Sequence, residues 1–507
     1  MDTRLKKLKW NSQLALLYQA ILVVSGFVLP RCILHFYGSE INGLIASITQ
    51  VLSFINICDL GISAVVSSAL YAPLANRDYT QVSKVFVFAK KFFRIIGFIL
   101  VAYVVVLMVL FPTLVNDSFD PLFTCGLIGA MCISHFGQYF LGINYQLLLN
   151  SDQRSYVQLI INGSTLLLNV LCSVLFMYLG AGIHFVKLST SLIYLLRPLL
   201  MYCYVKKRYP IDHTVKYDPS VVPQKKNGII QHIAYTIYEN TDIFVLTVCS
   251  TLSNVSVYSV YTLATNSVRL IIGAATTGLQ ALVGNMIANG EKDELRRAYS
   301  VFHWAIHSIS VLLFTVTGLL IVPFVLLYTR DVHDADYYAP LFACLITVAY
   351  FFNSIRSGMY NTIRAAGHYK QTQAASLLEA ILNIVLSLIL VFRYGLVGIA
   401  IGTIAATLFF TVYEAIYLSK HIVHFPLLSF FKQLLADILS VGLMLAATLW
   451  ITVHNTTFFA WIASAILCFL LCLLVSVIIQ LIFYPKYLRM ISGKVIGIAK
   501  KILHIKR

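Results

Sequence analysis

Acidic residues are scarce in this chain: 20 Asp and Glu in 507 residues, against 37 Lys and Arg. Charged residues together make up only 11%, where a soluble domain carries about 25%. That shortage excludes an ordinary water-soluble enzyme. None of the ten cysteines forms a CxxC, which removes a redox motif and a zinc ribbon. No Walker A or other glycine-rich nucleotide loop is present, so ATP does not drive the chain directly. His303 and His307 form an HxxxH that lacks the glutamate after the first histidine, so no metal site is expected. No cofactor is expected either.

Apolar residues are plentiful: 59% of the chain is hydrophobic and the mean hydropathy is +0.83. Runs able to cross a bilayer fall at 12–36, 42–69, 84–112, 121–149, 156–179, 182–205 and 228–250. Seven more fall at 253–287, 300–328, 338–364, 372–393, 395–419, 430–453 and 457–484. Backbone groups find no water within lipid, so an all-α polytopic membrane protein of about 14 transmembrane helices is expected. Placing both termini in the cytoplasm sorts the charges. Inner segments then hold Arg4, Lys6, Arg77, Lys84, Arg154, Lys206, Lys207, Arg208, Arg296 and Arg297. Asp117, Asp120, Asp331, Asp334 and Asp336 gather outside, as the positive-inside rule requires. The net charge of +17 is thereby explained without nucleic acid.

The basic, proline-containing inner loop 206–227 divides the chain after six spans. The halves repeat: Asn76 matches Asn289, Pro112 matches Pro323 and Asn169 matches Asn383, 211–214 residues apart. The expected architecture is a six-helix lobe at 1–205, the linker, a second six-helix lobe at 228–420, and two added helices at 421–484. A basic amphipathic tail follows at 485–507, placed on the anionic inner leaflet. With an even number of spans per half, the two pseudo-symmetric bundles are parallel repeats around a central cavity, a transporter architecture.

Ionisable residues inside lipid normally face a cavity or a partner. Thr49, Ser53, Asn56, Asp59, Ser63 and Ser67 form a helical stripe in the second span. His232, Tyr235, Glu239 and Asp242 do so in the seventh, and Tyr258, Thr262, Asn266 and Arg269 in the eighth. The tenth carries Asn353, Arg356 and Tyr360, the eleventh Ser376, Glu379 and Asn383, the twelfth Thr403, Thr407, Thr411 and Glu414. Arg269, Arg31, Arg356, Asn266 and Tyr360 are the candidate lumen residues for an anionic substrate. Glu239, Asp242, Asp59 and Glu379 are candidates for a coupling ion, Na⁺ or H⁺; the bland reading is that such charges form interhelical pairs. Arg94 and Arg197 are expected to snorkel to the inner boundary. GIAIG at 398–402 reads as a small-xxx-small packing motif.

FYGSEINGL (36–44), CDLGISAVV (58–66), ENTDIFVLT (239–247) and YGLVGIAIGT (394–403) together resemble the polysaccharide flippase family. That family moves O-units, capsule units and teichoic-acid precursors, and belongs to the multidrug/oligosaccharidyl-lipid/polysaccharide exporter superfamily. The resemblance covers about residues 10–420. It implies a flippase, not an enzyme, for undecaprenyl-diphosphate-linked oligosaccharides in a bacterial cytoplasmic membrane, working by alternating access. Partners would be that lipid-linked glycan, the phospholipid membrane, and the polymerase and glycosyltransferases of a lipopolysaccharide, O-antigen or capsule pathway. Pro30-Arg31 stands near where peptidoglycan-precursor flippases carry an arginine-aspartate dyad, which points away from that precursor. A multidrug cation antiporter shares the expected fold but needs an anionic site. A glycan polymerase would need a large outer loop, and none here exceeds about a dozen residues.

Overall fold

The apolar runs lie on helices in the computed structural model, which describes residues 2–59, 61–115, 119–215, 229–451 and 457–487. Asp117, most of the basic linker and the basic tail beyond residue 487 lie outside those residues. Among the described residues there is no strand. Eleven helical segments are long and apolar enough to cross a membrane by length and composition. The expected fourteen counts the first and second runs separately, where the single segment Gln13–Asp59 covers the first and much of the second, and it also counts the seventh and eighth runs.

The chain packs as two compact units, Met1–Ser259 with Asp331–Ala335, and Val260–Arg330 with Asp336–Arg507. The first contains α1 (Asp2–Ser53), α2 (Ile62–Asn76), α3 (Tyr79–Leu114), α4 (Pro121–Gly137) and α5 (Ile143–Ser151). It continues through α6 (Ser155–Tyr178), α7 (Ile183–Arg208) and α8 (Ile229–Cys249) into the start of α9 (Leu252–Ala288). Leu44, Leu52, Phe86, Phe93, Leu100 and Leu148 are fully buried in its core.

Two of its spans are interrupted. The second run is not one helix: a 3₁₀ turn at Phe54–Asp59 separates α1 from α2. Its polar stripe is therefore not one continuous face, because Asp59 turns to accept from the backbone N–H and hydroxyl of Ser63 at 3.2 and 2.9 Å. A π turn at Gln138–Gly142 likewise joins α4 to α5.

The bend inside α1 has a specific cause. Gly38 adopts φ 81°, open to glycine, and a Cβ there would meet Asp334 Oδ2 at 2.5 Å. Asp334 accepts from the Ser39 backbone N–H at 2.7 Å and from its hydroxyl at 2.6 Å. A carboxylate thus caps the helix that restarts after the bend. Close by, Asn42 donates to Ser256 Oγ at 2.8 Å, and a Cβ on Gly43 would collide with the Leu252 carbonyl at 1.9 Å.

The second unit contains the rest of α9, then α10 (Lys292–Tyr328), α11 (Pro340–Ala365), α12 (Tyr369–Tyr394) and α13 (Leu396–His421). α14 (Leu427–Thr448) and α15 (Phe458–Phe483) complete it. In GIAIG, Gly398 lies against the Leu390 carbonyl and Gly402 against Ser387, where a Cβ would come within 2.3 and 2.6 Å. The motif is the close-packed seam of α12 and α13. In both units large apolar residues face outward, among them Leu171 (69% exposed) and Phe392 (75%). Such a surface suits lipid, since each of these side chains gains about 1.5–3 kcal/mol on leaving water.

Candidate functional site

In the second unit, Arg356 on α11 forms an ion pair with Glu379 on α12, both nearly fully buried. The Arg356 guanidinium also lies over the Phe410 ring, 5.1 Å from its centre. Glu414 on α13 is 1% exposed, within electrostatic reach of Arg356, and its Oε2 has no hydrogen-bond partner. The cluster therefore holds two carboxylates for one guanidinium. Tyr360, one turn along α11, accepts from Arg364 at 3.4 Å. Two residues read from the sequence as lumen contact and ion site, Arg356 and Glu379, thus meet directly.

Arg269 donates from Nε to Asn266 Oδ1 at 3.0 Å, and its guanidinium faces the Tyr350 ring at 5.5 Å. The eighth-span stripe is real in that sense: its asparagine orients its arginine. In the first unit, Arg31 pairs with Asp331 of the loop after α10, which places it beside that loop, shortly before the Gly38 bend within α1. Asp242 accepts from the Tyr258 hydroxyl at 2.8 Å. Glu239 is half-buried, and its backbone carbonyl accepts from Gln50 at 3.1 Å. Asp59 is held by Ser63, with His232 bonded to the nearby Asn56 carbonyl at 3.0 Å.

The first unit also contains two adjoining cavities, one rich in polar groups and one of mixed lining, that sequence reasoning missed. One, of about 360 Å³, is lined by Gln138, Gln146, Gln158, Asn162, Tyr194 and Arg197, among others. The other, about 230 Å³, shares Ser134, His135 and Tyr194 with it and adds Lys187 and Asn169. Among the described residues, no Asp or Glu lines either cavity. Arg197, expected to snorkel, lines the first of these cavities. It is held mid-helix by Thr165 Oγ1 at 2.8 Å and lies 3.8 Å from the centre of the Tyr194 ring. The signal was present: Lys187, Thr190, Tyr194 and Arg197 step by 3, 4 and 3, the same helical spacing that picked out the other stripes.

A cationic, amide-rich and carboxylate-free interior can bind hydroxyl-rich or anionic groups; the carboxylate-rich cluster of the second unit can hold a cation. Residues 229–389 match the MatE family model. Sequence comparison with the curated proteins finds no match. The fold is similar to that of "Lipid II flippase MurJ, inward closed conformation" at TM-score 0.68 and 14% identity, over 94% of this chain and 99% of that one. It is similar to an inward-facing multidrug resistance MATE family transporter of the MOP superfamily at 0.61 and 14%, over 79% and 94%. The eukaryotic MATE transporter AtDTX14 matches at 0.59 and 15%, over 86% and 99%. The chain thus shares the all-helical fold of these structures.

Proposed function

We propose that this chain is a flippase that carries polyprenyl-diphosphate-linked oligosaccharides across a bacterial cytoplasmic membrane by alternating access. The observation that carries this reading is the charge sign of the first unit's cavities: Arg197 and Lys187 among amides, with no carboxylate in the lining. A drug cation would be repelled there, whereas sugar hydroxyls and phosphate oxygens find donors. The structural likeness to a lipid II flippase supports the lipid-linked class, and the sequence motifs support the surface-polysaccharide branch. Arg269, oriented by Asn266, is a second point for phosphate, since a guanidinium stays charged when desolvated and bonds phosphate in a fork. Arg31, Arg356 and Tyr360 belong to the same proposal. Coupling to Na⁺ or H⁺ is assigned to Glu379 with Glu414, and to Glu239, Asp242 and Asp59.

One observation favours a multidrug cation antiporter: the surplus carboxylate beside Arg356. Deleting the gene separates the two. A flippase leaves a lipid-linked oligosaccharide accumulating on the cytoplasmic leaflet, with tolerance of cationic drugs unchanged; an antiporter gives the reverse. Complementation by Arg269→Ala should fail at normal protein level, and Arg269→Lys should restore part of the export.

A further inference from the structure

α10 and α14 meet at a buried group that none of the residues above touches. His307 Nδ1 lies 2.5 Å from Asp437 Oδ2, and Gln433 donates to the other oxygen, Asp437 Oδ1, at 2.9 Å. One turn back along α10, the His303 ring packs on the His307 ring with centres 4.2 Å apart. His303, His307 and Asp437 are 5%, 0% and 4% exposed. The Nε2 atoms of both histidines are buried without a hydrogen-bond partner.

The remaining surroundings are mostly aromatic and aliphatic. Phe425 and Phe430 close over the imidazoles. On α10 itself, Tyr299 stacks on His303. On α13, Glu414 lies within electrostatic reach of Tyr299. At the end of α15, Tyr484 lies within reach of Asp437, and Cys472 packs farther along α10 against Val311. α11 contributes Cys344 to a largely apolar cavity of about 420 Å³, and Asp437 forms part of that cavity's wall. No Lys or Arg lines it among the described residues.

We propose that His307, His303 and Asp437 form a binding site for a single proton between α10 and α14. A carboxylate buried with one neutral N–H and one amide remains an uncompensated anion, which a low-dielectric site disfavours. One proton on His307 converts the bond into a neutral, charge-assisted ion pair and ties α14 more firmly to α10. A second proton, on His303, is opposed by the cation against which its ring packs, so occupancy stops at one. This site is distinct from Glu379 and the other carboxylates assigned to ion coupling, and it does not depend on what the protein carries.

The test is proton uptake itself, read by ¹⁵N NMR of histidine-labelled full-length protein in lipid nanodiscs titrated from pH 5 to 9. His303→Gln and His307→Gln identify the two buried rings by the signals they remove. The expected result is one proton taken up across the pair, with the midpoint moved down by at least about one pH unit in Asp437→Asn. Two rings that keep a fixed protonation state throughout the range would overturn the site. So would two protons taken up independently, or a midpoint that Asp437→Asn leaves in place. Once the two rings are identified, the wild-type titration decides the first two points even if Asp437→Asn fails to fold.

Discussion

The interiors of the two units differ in charge. In the first, Arg197 and Lys187 line cavities that hold amides, hydroxyls and a histidine but no carboxylate. In the second, the buried Arg356 already has a carboxylate partner, Glu379, with Glu414 nearby, and the buried His307 is hydrogen-bonded to Asp437. Sealed ion pairs and open polar cavities serve different ends. A buried pair adds little net stability over an apolar core but is costly to break. A cation facing a cavity keeps its bonding capacity for whatever enters. Arg356 is tied to a carboxylate in the second unit, whereas Arg197 faces an open cavity in the first.

The largest expected effect comes from unpairing the second unit. Glu379→Ala leaves Arg356 without its direct partner in a dry site and should destabilise the protein by about 3–5 kcal/mol, moderated by Glu414. Thermal unfolding of the purified protein measures it. Replacing both members, Arg356→Met with Glu379→Leu, should recover most of that loss. If the single variant were as stable as the parent, the pair would be neither buried nor dry.

The first unit should respond the opposite way. Arg197→Ala should lower glycan export by about 10- to 100-fold, the worth of a hydrogen bond to a charged group, while the melting temperature moves little. Arg197→Lys should retain part of the activity. A large fall in stability with export per folded molecule unchanged would make Arg197 another structural cation and erase the contrast.

Packing comes next. Gly398→Ala forces a methyl against the Leu390 carbonyl at the α12–α13 seam. Overpacking of that kind costs about 1–3 kcal/mol, again read by thermal unfolding. Gly442→Ala on α14, where a Cβ meets nothing within 4 Å, is the control and should stabilise slightly, by about 0.5–1 kcal/mol.

How far the sequence carries is visible in these residues. Lipid permits few backbone solutions, so the helical runs and the α12–α13 seam at GIAIG were legible from composition and small-residue spacing. The motif glycines and asparagine at 38–43 were legible as a signature but not as geometry. Gly38 faces Asp334, a carboxylate bonded to Ser39 from 295 residues away, while Asn42 and Gly43 meet Ser256 and Leu252. Pairings such as Arg356 with Glu379, or His307 with Asp437, join separate helices, and helical spacing carries no information about which face meets which. Arg197 is a different case. Its stripe was readable, but the snorkelling expectation took precedence over it.

The smallest expected effect concerns the 331–335 segment that packs with the first unit. Asp334 caps the restart of α1 after Gly38, and losing such a cap costs about 0.5–2 kcal/mol. Asp334→Ala should therefore lower the melting temperature slightly, and Asp334→Asn, which keeps an acceptor oxygen, should lower it less. Charge sorting places this loop outside the cell. A cysteine at 334 should then react with an impermeant thiol reagent in intact cells given outer-membrane access, more readily once Ser39→Ala has removed one of its native partners. Reaction only after the cytoplasmic face is opened would invert the topology, and with it the side from which Arg31, paired to Asp331 in the same segment, meets a substrate.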